Sequence, residues 1–282
     1  MTTLAFLAAI LLLVAGSVLL VWQKFSTLPA KKKKALLKST VNGVFIRLEK
    51  SGWLPRTPAF DRDYLQSYPA LSPLEENYPA VRDECLALLD IKEKLTDMQA
   101  MGGIYTQAGI HTAQWKTFVF KSGKFIDENC SLCPKTAAIL KQVPGLYTAF
   151  FSVLDPHQQI TPHWGYYKGF LRYHLGVLIP RNNADGSCFL RVNSDLHDNE
   201  QRDPELVQKG ETYYWKNGEG IVFDDNYLHD AGNGSDEIRV VLWLDLRRKM
   251  PFYLQPFNML CLAIAHRDQS VKKIRKNAIV AP

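Results

Sequence analysis

Residues 161–179 read TPHWGYYKGFLRYHLGVLI, and this stretch sets the fold class of the chain. Its second half, Phe170–Ile179, is apolar and rich in β-forming residues, which predicts a strand. Arg172 and His174 are two residues apart, so both side chains lie on the same face of that strand. Burying an arginine and a histidine among apolar neighbours is costly unless an anion or a metal compensates. The stretch therefore predicts a β-strand that carries part of a binding site.

Short apolar runs separated by polar turns continue on both sides of this strand. Turn residues such as Asp155-Pro156 and Asn217-Gly218 divide the runs, and no helical pattern alternates with them. This arrangement is typical of an antiparallel sandwich or barrel and not of a βαβ fold. The predicted strands are Trp115–Lys121, Leu146–Leu154, Phe170–Ile179, Cys188–Val192, Gly220–Phe223 and Ile238–Leu246.

Helical spacing of apolar residues predicts a flanking helix over residues 78–99, with Pro79 in its first turn. A shorter helix is predicted over residues 135–141, ended by Pro144-Gly145. Residues 193–210 are polar and acidic, which predicts a surface loop.

Two further histidines, His163 and His229, lie near predicted strand ends, 66 residues apart. Each is followed about ten positions later by an arginine, Arg172 or Arg239. A single histidine in a β-domain is more often a satisfied core or surface residue than a ligand, but the repeated pattern favours a site. A jelly-roll barrel brings such strand ends to one mouth, where two imidazoles can bind iron with open coordination positions.

These residues together resemble the aspartyl/asparaginyl β-hydroxylase family of Fe(II)/2-oxoglutarate dioxygenases. The resemblance covers about residues 113–246. It rests on HWG at 163–165, RYHLG at 172–176, FDD at 223–225, His229 and Arg239, with CPKT at 133–136, Ser152 and Trp115 upstream.

The resemblance implies an all-β core of the double-stranded β-helix (cupin-like jelly-roll) type, with flanking helices. It implies a hydroxylase that uses Fe(II), 2-oxoglutarate and O₂. His163 and His229 would bind iron, and Arg239 would pair with the distal carboxylate of 2-oxoglutarate. The remaining residues of the cosubstrate pocket would be Arg172, His174, Ser152 and Trp115.

Gly165 departs from the usual non-haem iron triad of two histidines and a carboxylate. The carboxylate is expected two residues after the first histidine, where this chain has glycine. The peptide-hydroxylating branch of the family is similar in having glycine there, with water filling the vacancy. Gly165 is thus compatible with catalysis but leaves open an inactive binding protein of the same fold. Asp225 is interpreted as a turn residue or as one that orients a histidine.

The positive charge of the chain lies at its two ends. The net charge is +6, yet residues 39–246 hold 20 basic and 27 acidic residues. Residues 1–38 hold six lysines and no acid, and residues 247–282 hold eight basic residues and one acid. An acidic middle argues against a nucleic-acid-binding core, and basic ends indicate an anionic membrane surface.

Residues 1–23 are predicted to be a transmembrane anchor. The uncharged run at 3–22 spans about 30 Å as a helix, the thickness of a hydrocarbon core. A signal peptide would carry its positive charge before the apolar run, whereas Lys24 and Lys31–Lys34 follow it. The positive-inside rule then puts the domain on the cytoplasmic side. We predict a basic, proline-rich lead-in over 24–80, a dioxygenase domain over 81–246 and a C-terminal segment over 247–282.

The C-terminal segment combines basic clusters with an apolar stretch, Met250–Ala265, that is too short to span a bilayer. This pattern favours an interfacial element on anionic lipid, the alternative being a helix packed on the barrel. The layout of anchor, cytosolic domain and basic tail is similar to family members that hydroxylate lipid A or ornithine-lipid acyl chains. A membrane lipid is therefore the predicted substrate. The alternative is an Asp or Asn of a protein, which Gly165 favours.

Overall fold

A computed structural model of the chain describes residues 29–101, 114–266 and 269–280. The chain divides into two compact units, Met1–Leu48 and Glu49–Pro282. Helix α1, Ala30–Lys50, supplies the described residues of the first unit after Pro29. The predicted anchor, residues 1–23, lies outside the described residues. None of the helices in the described ranges is long and apolar enough to cross a membrane.

Two antiparallel sheets form the framework of the second unit. The major sheet has the order β1-β10-β7-β12-β5-β3-β2, with β4 paired to β3, and the minor sheet has the order β6-β11-β8-β9. The strands are β1 Phe60–Asp61, β2 Thr96–Asp97, β3 Trp115–Ser122, β4 Lys124–Phe125, β5 Leu146–Leu154, β6 Gln158–Trp164, β7 Phe170–Leu178, β8 Cys188–Asn193, β9 Glu211–Tyr214, β10 Gly220–Phe223, β11 Leu228–Asn233 and β12 Arg239–Arg247.

From β5 to β12 the chain crosses between the two sheets at every connection except the β8–β9 hairpin, which places four of these strands in each sheet. This is the arrangement of a jelly roll. The prediction of an antiparallel all-β core of jelly-roll type with flanking helices is confirmed.

Short helices cover the outside of the sheets. They are α2 Tyr64–Ser67, α3 Ser72–Glu76, α4 Tyr78–Leu89, α5 Asp127–Leu132, α6 Pro134–Leu140, α7 Leu196–Gln201, α8 Gln255–His266 and α9 Gln269–Asn277, with 3₁₀ turns at Pro69–Leu71, Lys92–Lys94, Met98–Met101, Pro180–Asn183 and Pro204–Lys209.

The long strands β5, β7 and β12 of the major sheet are buried on both faces, which is why they are nearly continuous apolar runs. All nine residues of β5 are buried. Because side chains alternate along a strand, Leu242 and Leu244 of β12 pack outward in a cluster with α4 and α6. Val241 and Trp243 point inward and share a second cluster with residues of the minor sheet. Polar side chains on this inward face are therefore enclosed between the sheets.

The six predicted strands are present within about two residues of their predicted ends. The other six were not predicted: the two-residue strands β1, β2 and β4 of the major sheet and β6, β9 and β11 of the minor sheet. β6 is mostly half-buried and polar and contains Pro162, so it lacks the apolar alternation of a core strand. β11 is fully buried yet reads LHDAGN. Its Asn233 side chain donates hydrogen bonds to the carbonyls of Leu154, Asp155 and Glu237, so these polar groups are satisfied inside the fold.

The predicted flanking helices differ at their ends. The helix predicted over 78–99 ends at Leu89 and is followed by a 3₁₀ turn and β2. The predicted loop at 193–210 contains α7, whose first turn is capped by the Asp195 side chain accepting from the Asp198 N–H.

Candidate functional site

His163 and His229 lie side by side on neighbouring strands of the minor sheet. They are direct partners in the register of β6 and β11, and their ring centroids are 4.1 Å apart. Each Nδ1 lies 2.8 Å from a backbone carbonyl two residues earlier, Thr161 for His163 and Tyr227 for His229. A carbonyl can only accept, so each Nδ1 carries the proton and each Nε2 keeps a free lone pair.

Burial keeps both rings neutral. It lowers the pKa of His163 to about 4, against the opposing effect of the Thr161 carbonyl. It also lowers the pKa of His229 well below the usual range, with His163 as the next cause. Two neutral imidazoles presenting Nε2 are a ligand pair suited to iron.

The space beside Gly165 is filled by Asp225. The Gly165 N–H donates to the Asp225 carbonyl over 2.7 Å. A Cβ on residue 165 would lie 2.4 Å from both that carbonyl oxygen and Asp225 Oδ2. No aspartate fits here unless the Asp225 loop moves, so the missing triad carboxylate is excluded sterically. Within the described ranges no group of three or more His, Cys, Asp or Glu residues could hold a metal ion.

Arg172 is held between two carboxylates on the inner face of the major sheet. Its Nη2 lies 2.8 Å from Asp225 Oδ2 and 3.0 Å from Asp245 Oδ1. Its guanidinium stacks 3.7 Å above the Trp243 ring. Burial raises the pKa of Asp225 to about 7, although the Arg172 charge opposes the shift. Arg172 therefore holds Asp225 in the space beside Gly165, two residues after His163.

Arg239 is a buried cation with no carboxylate beside it in the part of the chain that the structure describes. Its side chain is 1% exposed, and the described residues place no carboxylate oxygen within 4.0 Å of it. Its guanidinium lies 4.6 Å over the Trp215 ring, and its Nε is buried without a hydrogen-bond partner in the described part of the chain. Burial lowers the pKa of Arg239 to about 10.

Two aromatic side chains near Arg239 also have unsatisfied polar atoms. Both ring nitrogens of His174 and the Nε1 of Trp215 are buried without partners among the described residues. The rings of His174 and Trp215 are 5.8 Å apart. Burial, followed by the charges of Arg172 and Arg239, lowers the pKa of His174 well below its usual range. Because buried polar groups are nearly always paired, this cluster is shaped for an anionic, hydrogen-bonding ligand.

Ser152 and Trp115 complete the inner face. Trp115 Nε1–H donates to Ser152 Oγ over 2.8 Å, and both residues are buried. Since Ser152 accepts this bond, its own hydroxyl hydrogen is available for a ligand. Ser152 lies opposite Val241 in the register of β5 and β12, and Trp243 lies opposite His174 in the register of β12 and β7.

The structure thus brings the seven predicted site residues onto facing surfaces of two sheets. Sequence reasoning missed Trp215 and Asp245. Trp215 follows directly on β9, a strand that was not predicted, so nothing in the sequence marked this tryptophan as part of the site. Asp245 did carry one, because it is a lone acid in the apolar strand β12, spaced to share the inner face with Arg239.

Residues 75–249 match the profile of the aspartyl/asparaginyl beta-hydroxylase family. The chain belongs to this family. It is 31% identical over 193 residues to the ornithine lipid ester-linked acyl 2-hydroxylase of Rhizobium tropici, an alignment of 68% of this chain and 61% of the relative. It is 32% identical over 203 residues to aspartate beta-hydroxylase domain-containing protein 2 of Rattus norvegicus, covering 68% of this chain and 51% of that protein.

The human aspartyl/asparaginyl beta-hydroxylase is 24% identical to this chain over 182 residues, an alignment that covers 61% of this chain and 20% of the human protein. Among solved structures, a non-heme alpha ketoglutarate dependent carbocyclase from nogalamycin biosynthesis aligns over 61% of this chain and 75% of its own, with a TM-score of 0.40 and 14% identity. The first two of these relatives are longer than this chain, which covers 61% of the Rhizobium tropici protein and 51% of the Rattus norvegicus protein.

Proposed function

We propose that this chain is an Fe(II)/2-oxoglutarate-dependent dioxygenase that hydroxylates an acyl chain of a membrane lipid. The observation that carries the proposal is Arg239, a fully enclosed guanidinium with no carboxylate beside it in the described structure. A buried charge of this kind is unfavourable unless a ligand supplies the counter-charge. A dicarboxylate cosubstrate such as 2-oxoglutarate meets that need.

The metal would be held by His163 and His229. Hydrogen bonds from Nδ1–H to backbone carbonyls fix both rings with Nε2 free, which is how histidine ligands are usually oriented. Two histidines leave open positions on the metal for further ligands. Fe(II), with 2-oxoglutarate and O₂, supplies the oxidation of an unactivated C–H bond, and the protein supplies orientation and exclusion of water.

The cosubstrate would lie along the inner face of the major sheet. Arg239 would form a charge-assisted pair with its distal carboxylate, since a planar guanidinium matches a carboxylate in two hydrogen bonds. Ser152, oriented by Trp115, would donate its hydroxyl hydrogen, and His174 and Trp215 would satisfy their orphan nitrogens. Arg172 would contribute its positive charge from between Asp225 and Asp245.

The lipid substrate is supported by the relative from Rhizobium tropici, which is described as an acyl 2-hydroxylase of ornithine lipid. The basic ends of the chain also fit an anionic membrane surface. In this proposal residues 1–23 anchor the protein, the catalytic domain faces the cytoplasm, and residues 247–282 lie at the membrane interface. A lipid A-like molecule and an ornithine lipid are both compatible with these features.

Hydroxylation of an Asp or Asn in a protein is the alternative, and Gly165 favours it. The match to relatives named for aspartate beta-hydroxylase domains supports the same reading. The third reading, an inactive binding protein, rests on Gly165 alone. The adjacent pair His163 and His229, and an Arg239 whose Nε has no partner among the described residues, argue for an active site.

The metal assignment is tested with His163→Ala and His229→Ala in the purified chain. Each variant should lose iron binding, measured by metal analysis, and 2-oxoglutarate turnover, while the circular dichroism spectrum stays unchanged. His197→Ala, an exposed histidine on α7, is the matched control and should keep both. Turnover that persists in both site variants would show that the metal assignment is wrong.

The substrate class is tested by mass spectrometry of total lipids from cells with and without the gene. An acyl chain that is heavier by one oxygen atom, and that is present only in cells with the gene, would support a lipid as the substrate. Unchanged lipids together with active 2-oxoglutarate turnover would favour the protein substrate.

A further inference from the structure

Helix α8, Gln255–His266, leaves a large apolar surface exposed. None of its twelve residues is Asp, Glu, Lys or Arg. Leu260, Ile264 and Met259 are 58%, 53% and 48% exposed, whereas Asn258 and Leu262 are buried against the rest of the unit. A helix on a water-facing surface normally turns charged residues outward. Contiguous exposed apolar side chains of this size mark an interaction surface.

Aromatic side chains extend this surface next to α8. Phe252 is 88% exposed, Trp53 63% and Tyr253 47%. Trp53 and Tyr253 are in edge contact, with ring centroids 6.2 Å apart, and the Tyr253 hydroxyl donates to the Trp53 carbonyl over 2.7 Å. Trp and Tyr are enriched where a protein meets the headgroup region of a bilayer. We call Trp53, Phe252, Tyr253, Leu260 and Ile264 the α8 surface.

Charge selects the occupant of the α8 surface. The sequence from 247 to 282 holds eight basic residues against one acid. Helix α9, which follows, has Lys272, Lys273 and Lys276 exposed while Val271 and Ile274 are buried. A second copy of the chain would present the same positive charge to its partner, whereas anionic lipid supplies the opposite charge and an apolar phase.

The buried side of α8 contacts the loop that connects β6 to β7. Residues 165–169 connect β6, which carries His163, to β7, which carries Arg172. Asn258 is fully buried in α8, its Oδ1 accepts from the Tyr167 hydroxyl over 2.7 Å, and its Nδ2 donates to the Gly169 carbonyl over 3.0 Å. A Cβ on Gly169 would lie 2.2 Å from Asn258 Oδ1, so glycine permits this close approach.

We propose that the α8 surface docks on an anionic bilayer and so presents the 165–169 side of the metal site to the lipid. The proposal rests on the lipid substrate proposed above and names the surface through which that substrate is delivered. Docking sets the depth of α8, and Asn258 transmits that position to the loop beside His163 and Gly165. An acyl chain then reaches the site from the membrane without crossing water.

The docking is tested in the full chain reconstituted into phosphatidylglycerol–phosphatidylethanolamine vesicles. The photo-crosslinking amino acid p-benzoylphenylalanine replaces Leu260, and in a matched control it replaces Tyr214, which is 51% exposed on β9. Illumination should give lipid adducts from position 260 and none from position 214, as read by mass spectrometry. Equal adducts at both positions, or none at position 260, would overturn the proposal. A dimer cross-linked through position 260 would also overturn the proposal, because it would identify a second copy of the chain as the partner of the α8 surface.

Activity gives an independent arm. Leu260→Ser combined with Ile264→Ser should lower turnover of a vesicle-embedded lipid substrate about tenfold or more, since two large apolar side chains lose their contact with the bilayer. Leu86→Ser, at a 39% exposed position on α4, is the control and should have no effect. Turnover of lipid dispersed in detergent should be unchanged in both variants. Equal loss in vesicles and detergent would contradict a docking role.

Since cross-linking does not require turnover, lipid adducts from an inactive protein would separate failure of the proposed activity from failure of docking.

Discussion

At the scale of single residues, Arg239 shows how a ligand site can be recognised by what it lacks. Lys168 and Arg248 are as deeply buried as Arg239, but each lies within 3.1 Å of a carboxylate. Arg239 instead faces Trp215, with Nε unpartnered in the described structure. Its charge is thus held ready for an anion at a cost to the stability of the protein without ligand.

Arg239→Met should separate these two effects. Removing an uncompensated buried charge should leave the melting temperature of the ligand-free protein unchanged or higher. The KM for 2-oxoglutarate should rise about 100-fold, the loss of roughly 3 kcal/mol from a charge-assisted pair. Thermal denaturation and a turnover assay measure the two quantities.

Arg191→Met is the control for Arg239→Met. Arg191 lies 2.6 Å from the fully buried Asp230, so its removal strands a carboxylate and should lower stability while leaving KM unchanged. An unaltered KM in Arg239→Met would remove that residue from the cosubstrate pocket.

Gly165→Asp should not restore a working triad. The new Cβ would lie 2.4 Å from Asp225, so the loop must shift, and such overpacking costs about 1–3 kcal/mol. We expect a lower free energy of unfolding in urea and reduced 2-oxoglutarate turnover. Gly43→Ala, where the nearest atom to a new Cβ is 3.9 Å away, should be neutral or stabilising. A Gly165→Asp protein with full stability and raised turnover would contradict the steric account.

The sequence exposed some of these residues and hid others for physical reasons. Arg172 and His174 could be predicted as site residues, because burying two polar side chains in an apolar strand is unfavourable unless a ligand compensates. The contact between Asp225 and the space beside Gly165 was not readable, since the two positions meet only through the pairing of β6 with β11 and the loop before β11. The periodicity of apolar residues reports local secondary structure only, so it could not predict this long-range contact.

At the scale of elements, the same contrast separates the two sheets. The long strands β3, β5, β7 and β12 of the major sheet are mostly buried and were predicted from their apolar sequences. By contrast, β6 and β11 of the minor sheet, which carry His163 and His229, are polar and were not predicted. Their strand character comes from backbone pairing and not from side-chain hydrophobicity. The two strands that carry the proposed metal ligands are therefore those that deviate most from the pattern of a stable core.

A buried ionic network joins four elements next to the site. Lys168 Nζ lies 3.1 Å from Glu49 Oε2 and 2.9 Å from Asp224 Oδ2, and Arg248 Nη2 lies 2.8 Å from Glu49 Oε1. All four side chains are at most 2% exposed. Within the second unit, the network connects Glu49 at its start, the 165–169 loop, the turn after β10 and the residue after β12.

Lys168→Met should destabilise the protein by about 3–5 kcal/mol, because it leaves two carboxylates buried with less compensation. Burial alone would raise the pKa of Asp224, but Lys168 and Arg248 together lower it. A carboxyl group with a depressed pKa contributes stability above its unfolded pKa, so this part is lost only as the pH falls below about 4. The cost should therefore be constant from about pH 5 to pH 9 in urea unfolding.

Lys92→Met is the comparison for the network. Lys92 pairs with Asp155 over 2.6 Å, with side chains 21% and 18% exposed, and solvent screening should limit its loss to about 1 kcal/mol or less. Equal losses in Lys92→Met and Lys168→Met would show that the buried network has no special role in stability.

At the scale of the whole molecule, metal and cosubstrate should couple across the two sheets. The proposed metal ligands His163 and His229 belong to the minor sheet, while Arg239, His174 and Ser152 belong to the major sheet. A ligand that contacts both sheets stabilises the folded state by about 2.7 kcal/mol at 100 times its Kd, which raises the melting temperature by roughly 5–10 °C in a domain of this size. With Mn(II) as a metal that leaves O₂ unreacted, 2-oxoglutarate should produce this rise. In His163→Ala the rise from 2-oxoglutarate should shrink, because the cosubstrate loses its contact through the metal, and in Arg239→Met it should vanish while Mn(II) alone still stabilises. Equal rises in all three proteins would mean that the cosubstrate binds elsewhere.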